Sequence, residues 1–201
     1  MLRCREMPTR PDPNRELELN AIFEEYHAMY DLAVFRLNAL DRRAPVTVAA
    51  FATVLVSLQS LPVSAQLLVL LFLPPSLVWF MRTTVNHARS FEDALRRIEE
   101  LEKSANARLS EPLLCFQSRH PSRGREVGGR TGRETLLAVL GSILLMLAVA
   151  AYQIHTTSVI PRSAHIWYDL FLIVIAATTV NERVKLSRYS YREMTTGQTT
   201  H

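Results

Sequence analysis

Charge is missing from long stretches of this chain. From Ala44 to Met81, thirty-eight consecutive residues include no Asp, Glu, Lys or Arg. A second charge-free run goes from Thr135 to Pro161, and a third apolar run, Ala164 to Val180, carries only Asp169. A soluble domain has no use for such segments, whereas roughly 20 apolar residues in a helix cross a bilayer core of about 30 Å. These runs exclude an ordinary soluble fold and predict an integral membrane protein.

Cysteine is scarce as well. Cys4 and Cys115 both fall in polar blocks that the topology below places in the cytoplasm, and no Cys-x-x-Cys spacing occurs, which argues against a disulfide or a zinc site. The six histidines are scattered without metal-ligand spacing, so neither metal nor cofactor is expected. Residues 1–14 carry Arg3 and Arg5 with no apolar core behind them. No signal peptide is expected there, and with Pro8, Pro11 and Pro13 the segment reads as a disordered lead. His-Glu-x-x-His, paired aspartates, Gly-x-Ser-x-Gly and the Gly-Lys-Ser/Thr of a P-loop are all missing. An enzyme is not expected.

The charge that is present is segregated into 1–43, 82–134 and 182–193, an alternation that the overall hydrophobic fraction of 48% conceals. The net charge of +4 comes from basic residues beside the apolar runs. Anionic lipid headgroups and topology are the first explanation for them and nucleic acid the second, with no duplex DNA expected as a partner.

The predicted fold class is all-α, a four-helix transmembrane protein with cytoplasmic amphipathic and coiled-coil helices. The first run is too long for one crossing and is interrupted at Gln59–Ser64, which predicts a hairpin over 44–81 with spans 46–60 and 63–81. The first span, about 23 Å at 1.5 Å per residue, is short and borrows length from flanking helix or thins the membrane. A second hairpin over 134–182 has spans 135–151 and 164–180. Neither the hairpin tip at 59–64 nor, apart from Arg162, the connection at 153–163 is basic, whereas Arg36, Arg42, Arg43, Arg82, Arg89, Arg96, Arg97, Arg183, Lys185 and Arg188 gather at the opposite ends. The excess of Lys and Arg marks the cytoplasmic side. Both termini, the central polar block and the tail 183–201 are therefore expected inside.

Two polar segments have helical periodicity. In 15–43, Phe23, Tyr26, Tyr30, Ala33, Leu37 and Leu40 form one stripe on an otherwise acidic helix. In 82–110, Ala88, Phe91, Leu95, Ile98, Ala105 and Leu109 fall on a heptad seam with Glu102 as its polar intruder. Glu92–Arg96, Asp93–Arg97 and Glu99–Lys103 are favourably oriented i,i+4 pairs, each worth a few tenths of a kcal/mol. The seam needs a partner, either the acidic helix of the same chain or the equivalent helices of other subunits.

The link 111–133 holds four of the six glycines and the arginines Arg119, Arg123, Arg125, Arg130 and Arg133. It reads either as a mobile linker that enforces topology or as an anion site of backbone N–H groups and guanidinium forks, with Arg89, Arg96 and Arg97 as further candidates. Inside the membrane, Ala49, Thr53, Ser57 and Ser60 make a small-residue face on the first span, open to close packing or to lining a narrow pore. Gly141 and Ser142 support packing only. Asp169, close to Trp167 and Tyr168 in an interface belt, reads as a snorkelling or hydrogen-bonded residue rather than a proton relay. Pro74 and Pro75 remove two backbone donors and disturb the carbonyls near Leu70 and Leu71. They make either a bend that fits the bundle or a hinge between membrane and cytoplasmic helix.

Arg97-Ile98-Glu99-Glu100-Leu101-Glu102, followed by Leu113-Leu114-Cys115-Phe116 between two membrane hairpins, resembles the small membrane effectors encoded beside nucleotidyltransferase-type enzymes in bacterial anti-phage defence, such as the channel subunit of Hailong-type systems. In those families a nucleotide product controls a membrane protein whose opening depolarises the cell. The resemblance implies a homo-oligomer in the bacterial inner (cell) membrane with an oligonucleotide or a nucleotidyltransferase-type protein as trigger, and no functional residue is carried over from it. The expected function is therefore a ligand-gated pore or membrane-disrupting effector surrounded by membrane lipids. The competing reading is a non-conducting anchor whose cytoplasmic helices dock a soluble partner.

Overall fold

The computed structural model describes residues 13–109, 112–118, 129–156 and 161–189. These form four helices, α1 (Pro13–Ser60), α2 (Val63–Leu109), α3 (Gly129–Thr156) and α4 (Arg162–Ser187), with no strand among the described residues. The fold is all-α, and each helix is long and apolar enough to cross a membrane. Large apolar side chains cover the outside of the apolar segments as well as their core: Val56, Phe72, Trp79, Leu145, Ile166 and Ile173 all point outward. In water such a surface would drive aggregation, but it suits lipid.

Helices α1 and α2 run unbroken from their polar halves into their apolar halves. Pro45 removes one intrahelical donor, yet α1 continues through it, because both flanking stretches are packed on α2 and the freed carbonyl lies where the apolar run ends. The predicted 15–43 and 46–60 segments are thus one rod. Its start moves to Pro13, a residue whose fixed φ suits the first helical position, so Pro13 and Asn14 belong to helix rather than to the lead. The 111–133 link also shrinks, since α3 begins at Gly129 and includes Arg130 and Arg133. Two helical glycines there cost about 1 kcal/mol each against alanine, which the packed remainder of α3 offsets. Residues 183–187 of the tail likewise continue α4, whose Leu186 is buried.

Only Leu61 and Pro62 separate α1 from α2. The Gln66 amide donates to the carbonyls of Leu58 and Leu61, both at 2.9 Å, which occupies orphan acceptors at the end of α1. From this turn the two long helices zip together antiparallel. Helix α3 packs on α1 and α2, α4 packs on α2 and α3, and α1 and α4 do not meet. Leu70, Leu77, Val139, Ile143, Met146, Ala150 and Leu172 belong to the core of the apolar half.

In the polar half, the seam of α2 closes on α1 of the same chain. Ala88, Ile98 and Ala105 are fully buried, with Ala33 and Leu40 of α1 in the same core and Tyr26 and Leu37 packed against it. Glu92–Arg96 and Glu99–Lys103 form as expected at 2.7 and 3.0 Å. Asp93–Arg97 does not, because Arg97 reaches across to Glu25 at 2.7 Å and along α2 to Glu100 at 2.9 Å, while Asp93 accepts from Tyr189. Arg108 pairs with Glu18 at 3.1 Å further from the turn.

Glu102, the polar intruder of the seam, is fully buried, and its environment explains it. Its two carboxylate oxygens accept the backbone N–H groups of Gln117 and Ser118, each at 2.8 Å, and the Tyr26 hydroxyl approaches at 3.5 Å. Burial and then this carboxylate push the Tyr26 phenol above its ordinary pKa. Asn106 exchanges two hydrogen bonds with the backbone of Leu114, and Phe116 packs edge-on to Tyr30. Residues 112–118 are thereby strapped over the hairpin. Replacing Glu102 with Gln leaves one acceptor oxygen for two donors, so Glu102→Gln should cost about 1–3 kcal/mol and speed hydrogen exchange at the amides of Gln117 and Ser118. Unchanged protection at both amides would refute the strap.

Candidate functional site

The described arginines of α2 that were singled out as anion ligands are each engaged within the hairpin or by Tyr189. Arg96 lies between Glu92 and Glu99, and Arg97 between Glu25 and Glu100. These carboxylates hold both guanidiniums above their ordinary pKa, through hydrogen bonds and charge that outweigh burial. Arg89 stacks over the Tyr189 ring at 5.3 Å. Tyr189 itself is pushed up to about 12, first by burial and then by its hydrogen bond to Asp93. Arg119, Arg123 and Arg125 lie outside the described residues, as does the side chain of Arg130, and Arg133 lies on the exposed surface of α3.

The small-residue face points away from the bundle. Ala49, Thr53, Ser57 and Ser60 are all exposed, with the Thr53 hydroxyl on the Ala49 carbonyl and the Ser60 hydroxyl on the Ser57 carbonyl. Gly141 also faces outward, with nothing within 4 Å of where a Cβ would stand. Its expected packing role is therefore not met within the chain, because the α3 face that carries it meets no other helix.

Pro74 sits in an unbroken α2 and lacks the N–H that would bond the Leu70 carbonyl. The Tyr168 hydroxyl of α4 supplies that bond at 2.8 Å. Tyr168 is therefore turned inward, whereas its neighbour Trp167 stays 72% exposed. Asp169 pairs with His155 of α3 at 3.0 Å, and His165 packs against the same imidazole at 4.9 Å between ring centres. No group of metal-ligating side chains occurs among the described residues.

Sequence reading missed a basic cluster between α1 and α2 at the end of the charge-free run. Arg43 Nη1 donates to the hydroxyls of Thr83 and Thr84 at 3.0 and 2.8 Å, and its guanidinium lies 5.4 Å from the centre of the Phe80 ring. Arg36 Nη1 stands 3.1 Å from His87 Nδ1, and Arg36 Nε is buried with no partner. Burial, then Arg43 and Arg36, push the His87 pKa down. The signal in the sequence was spacing: Arg36 and Arg43 are two turns apart on α1, and Thr83 and His87 one turn apart on α2. Only the position of the hairpin turn brings the two pairs opposite each other.

Comparison of the chain with protein-family models, curated proteins and solved structures finds no match to any of them.

Two outcomes are expected from this geometry. Tyr168→Phe should lower stability by about 1 kcal/mol, read as a reduced Tm in detergent, with the exposed Tyr152→Phe as a silent control. Equal Tm for both variants would remove Tyr168 as the donor that stabilises α2 at Pro74. His87 should titrate by NMR below the ordinary histidine value of about 6.5. A depressed folded pKa means that its contribution to stability is present above about pH 6.5 and is lost as pH falls toward the folded value. Arg36→Gln should raise the midpoint only part of the way, because burial is the larger cause.

Proposed function

We propose that this chain is a homo-oligomeric membrane effector, a ligand-gated pore or membrane-disrupting protein, with both termini and the long hairpin on the cytoplasmic side of a bacterial cell membrane. The observation that carries this reading is the pairing of an apolar core with an outward small-residue face. The core of one copy is lined by Leu, Val, Ile and Met side chains, which is unsuited to ions, so we place conduction between copies. Ala49, Thr53, Ser57 and Ser60 are the weakly polar surface available to line it.

Control would come from the cytoplasmic hairpin. Because α1 and α2 are continuous across the membrane boundary, a ligand or partner protein that tilts the hairpin also tilts the first two spans. It shifts the equilibrium only by its differential affinity for the two arrangements. Arg119, Arg123, Arg125 and Arg130 are the candidates for contacting an anionic nucleotide or oligonucleotide, since Arg96 and Arg97 are held by glutamates. The layout resembling defence-system effectors supports an anti-phage role.

A second reading, a non-conducting anchor that docks a soluble partner, is favoured by the closure of the α2 seam on α1. A hairpin satisfied within one chain does not need other subunits. Potassium flux from liposomes holding the purified protein, with and without a short oligoadenylate, separates the two. The pore reading expects flux that switches with the oligonucleotide, an oligomeric mass in detergent, and loss of flux in Thr53→Leu and Ser57→Leu. Silence in every condition with a monomeric mass overturns the pore and supports the anchor.

A further inference from the structure

The basic cluster between α1 and α2 differs from the ion pairs further along the hairpin, and its Arg36, like Arg89 of α2, has a buried Nε with no partner. Further from the turn, Arg97 and Arg108 are each matched by a glutamate of α1. Among the described residues no carboxylate pairs with Arg36, Arg43 or His87, whose polar contacts are with one another and with threonine hydroxyls. Two half-buried guanidiniums that both act on the same imidazole, without a counter-charge, are costly, and a buried Nε with no acceptor adds to that cost. An anion would offset both. Thr83 and Thr84 hold the Arg43 fork in place, and the ring of Phe80 backs it, so one of the two forks is already oriented.

The position of the cluster indicates where the anion comes from. Arg43 directly precedes the charge-free run, and Thr83 and Thr84 lie just after it. Arg36 and His87 stand less than two turns further out, on the order of 10 Å at 1.5 Å per residue. Headgroups occupy about 5–7 Å on each side of a hydrocarbon core, so the cluster starts at the depth of lipid phosphates. Planar guanidinium forks match phosphate oxygens and bind them with charge-assisted hydrogen bonds.

We propose that Arg36, Arg43 and His87 form a receptor for the phosphate of an anionic lipid headgroup, inserted between the two long helices where they leave the apolar layer. The site goes beyond the gating reading and stands whether or not the assembly conducts. A headgroup seated there would bridge α1 and α2 at the level where hairpin and membrane segments join.

Native mass spectrometry of the full chain in detergent, titrated with dioleoyl phosphatidic acid or dioleoyl phosphatidylcholine, tests it. The wild type should retain phosphatidic acid at concentrations about tenfold lower than phosphatidylcholine, the ratio expected from one charge-assisted contact. The double variant Arg36→Gln/Arg43→Gln should lose that preference, and Arg42→Gln/Arg82→Gln, two exposed arginines outside the cluster, should keep it. Equal phosphatidic acid retention by the wild type and the Arg36/Arg43 variant overturns the proposal. So does binding of inorganic phosphate or ATP that depends on Arg36 and Arg43 without any preference for phosphatidic acid, since the site then serves a soluble anion. Should the double variant fail to fold, wild-type Tm in the two lipids decides: a higher Tm with phosphatidic acid supports the receptor, and equal values overturn it.

Discussion

Backbone carbonyls and amides that face lipid have no water to turn to, so each one has to find its partner inside the protein. Regular helix meets this condition everywhere except at helix ends and at prolines, and those are the places where this chain uses side chains. Gln66 reaches back over the Leu61–Pro62 turn to two carbonyls at the end of α1. Tyr168 crosses from α4 to the carbonyl that Pro74 leaves without a donor. These contacts also set the architecture. The first fixes where α1 hands over to α2 and hence the register of everything below the turn, and the second pins α4 against α2.

With the register set, the polar hairpin assembles as a sequence of matched pairs. Arg43 meets Thr83 and Thr84 nearest the apolar layer, Arg36 meets His87, Arg97 meets Glu25, and Arg108 meets Glu18 at the far end. Partly exposed ion pairs of this kind contribute little individually. Their value lies in selecting one alignment, because a slip by a turn would face Arg97 away from Glu25. The buried apolar seam beneath them supplies most of the adhesion, and Glu102 turns its one polar position into an anchor for residues 112–118.

A rod that is helical from the polar end to the apolar end transmits motion well. Both proposals draw on this feature, one through a cytoplasmic trigger and the other through a headgroup at the boundary. The junction is where the two meet mechanically. The threonine-braced Arg43 lies within one turn of Pro45 on α1, and Pro74 with its borrowed donor lies two to three turns above Thr84 on α2. A bias applied at the boundary therefore acts on both rods at once.

Composition alone determined the class of this fold. Charge-free runs of this length have few stable states other than membrane-length helices, and the heptad seam of 82–110 could be read because burial leaves a period in the sequence. The same reading identified Leu70 as a disturbed carbonyl but not Tyr168 as its donor, since ninety-eight residues separate them. It kept Arg96 and Arg97 as anion candidates even though Glu92–Arg96 was legible as a local pair, and it could not show that Arg97 reaches Glu25 across the hairpin. It overlooked Arg36, Arg43 and His87 because each is unremarkable on its own helix. Hydrophobic patterning is a local property and survives in one dimension. Which charges are neutralised, and which are left facing each other, depends on the register of two helices across a two-residue turn, and that was decided only by tertiary packing.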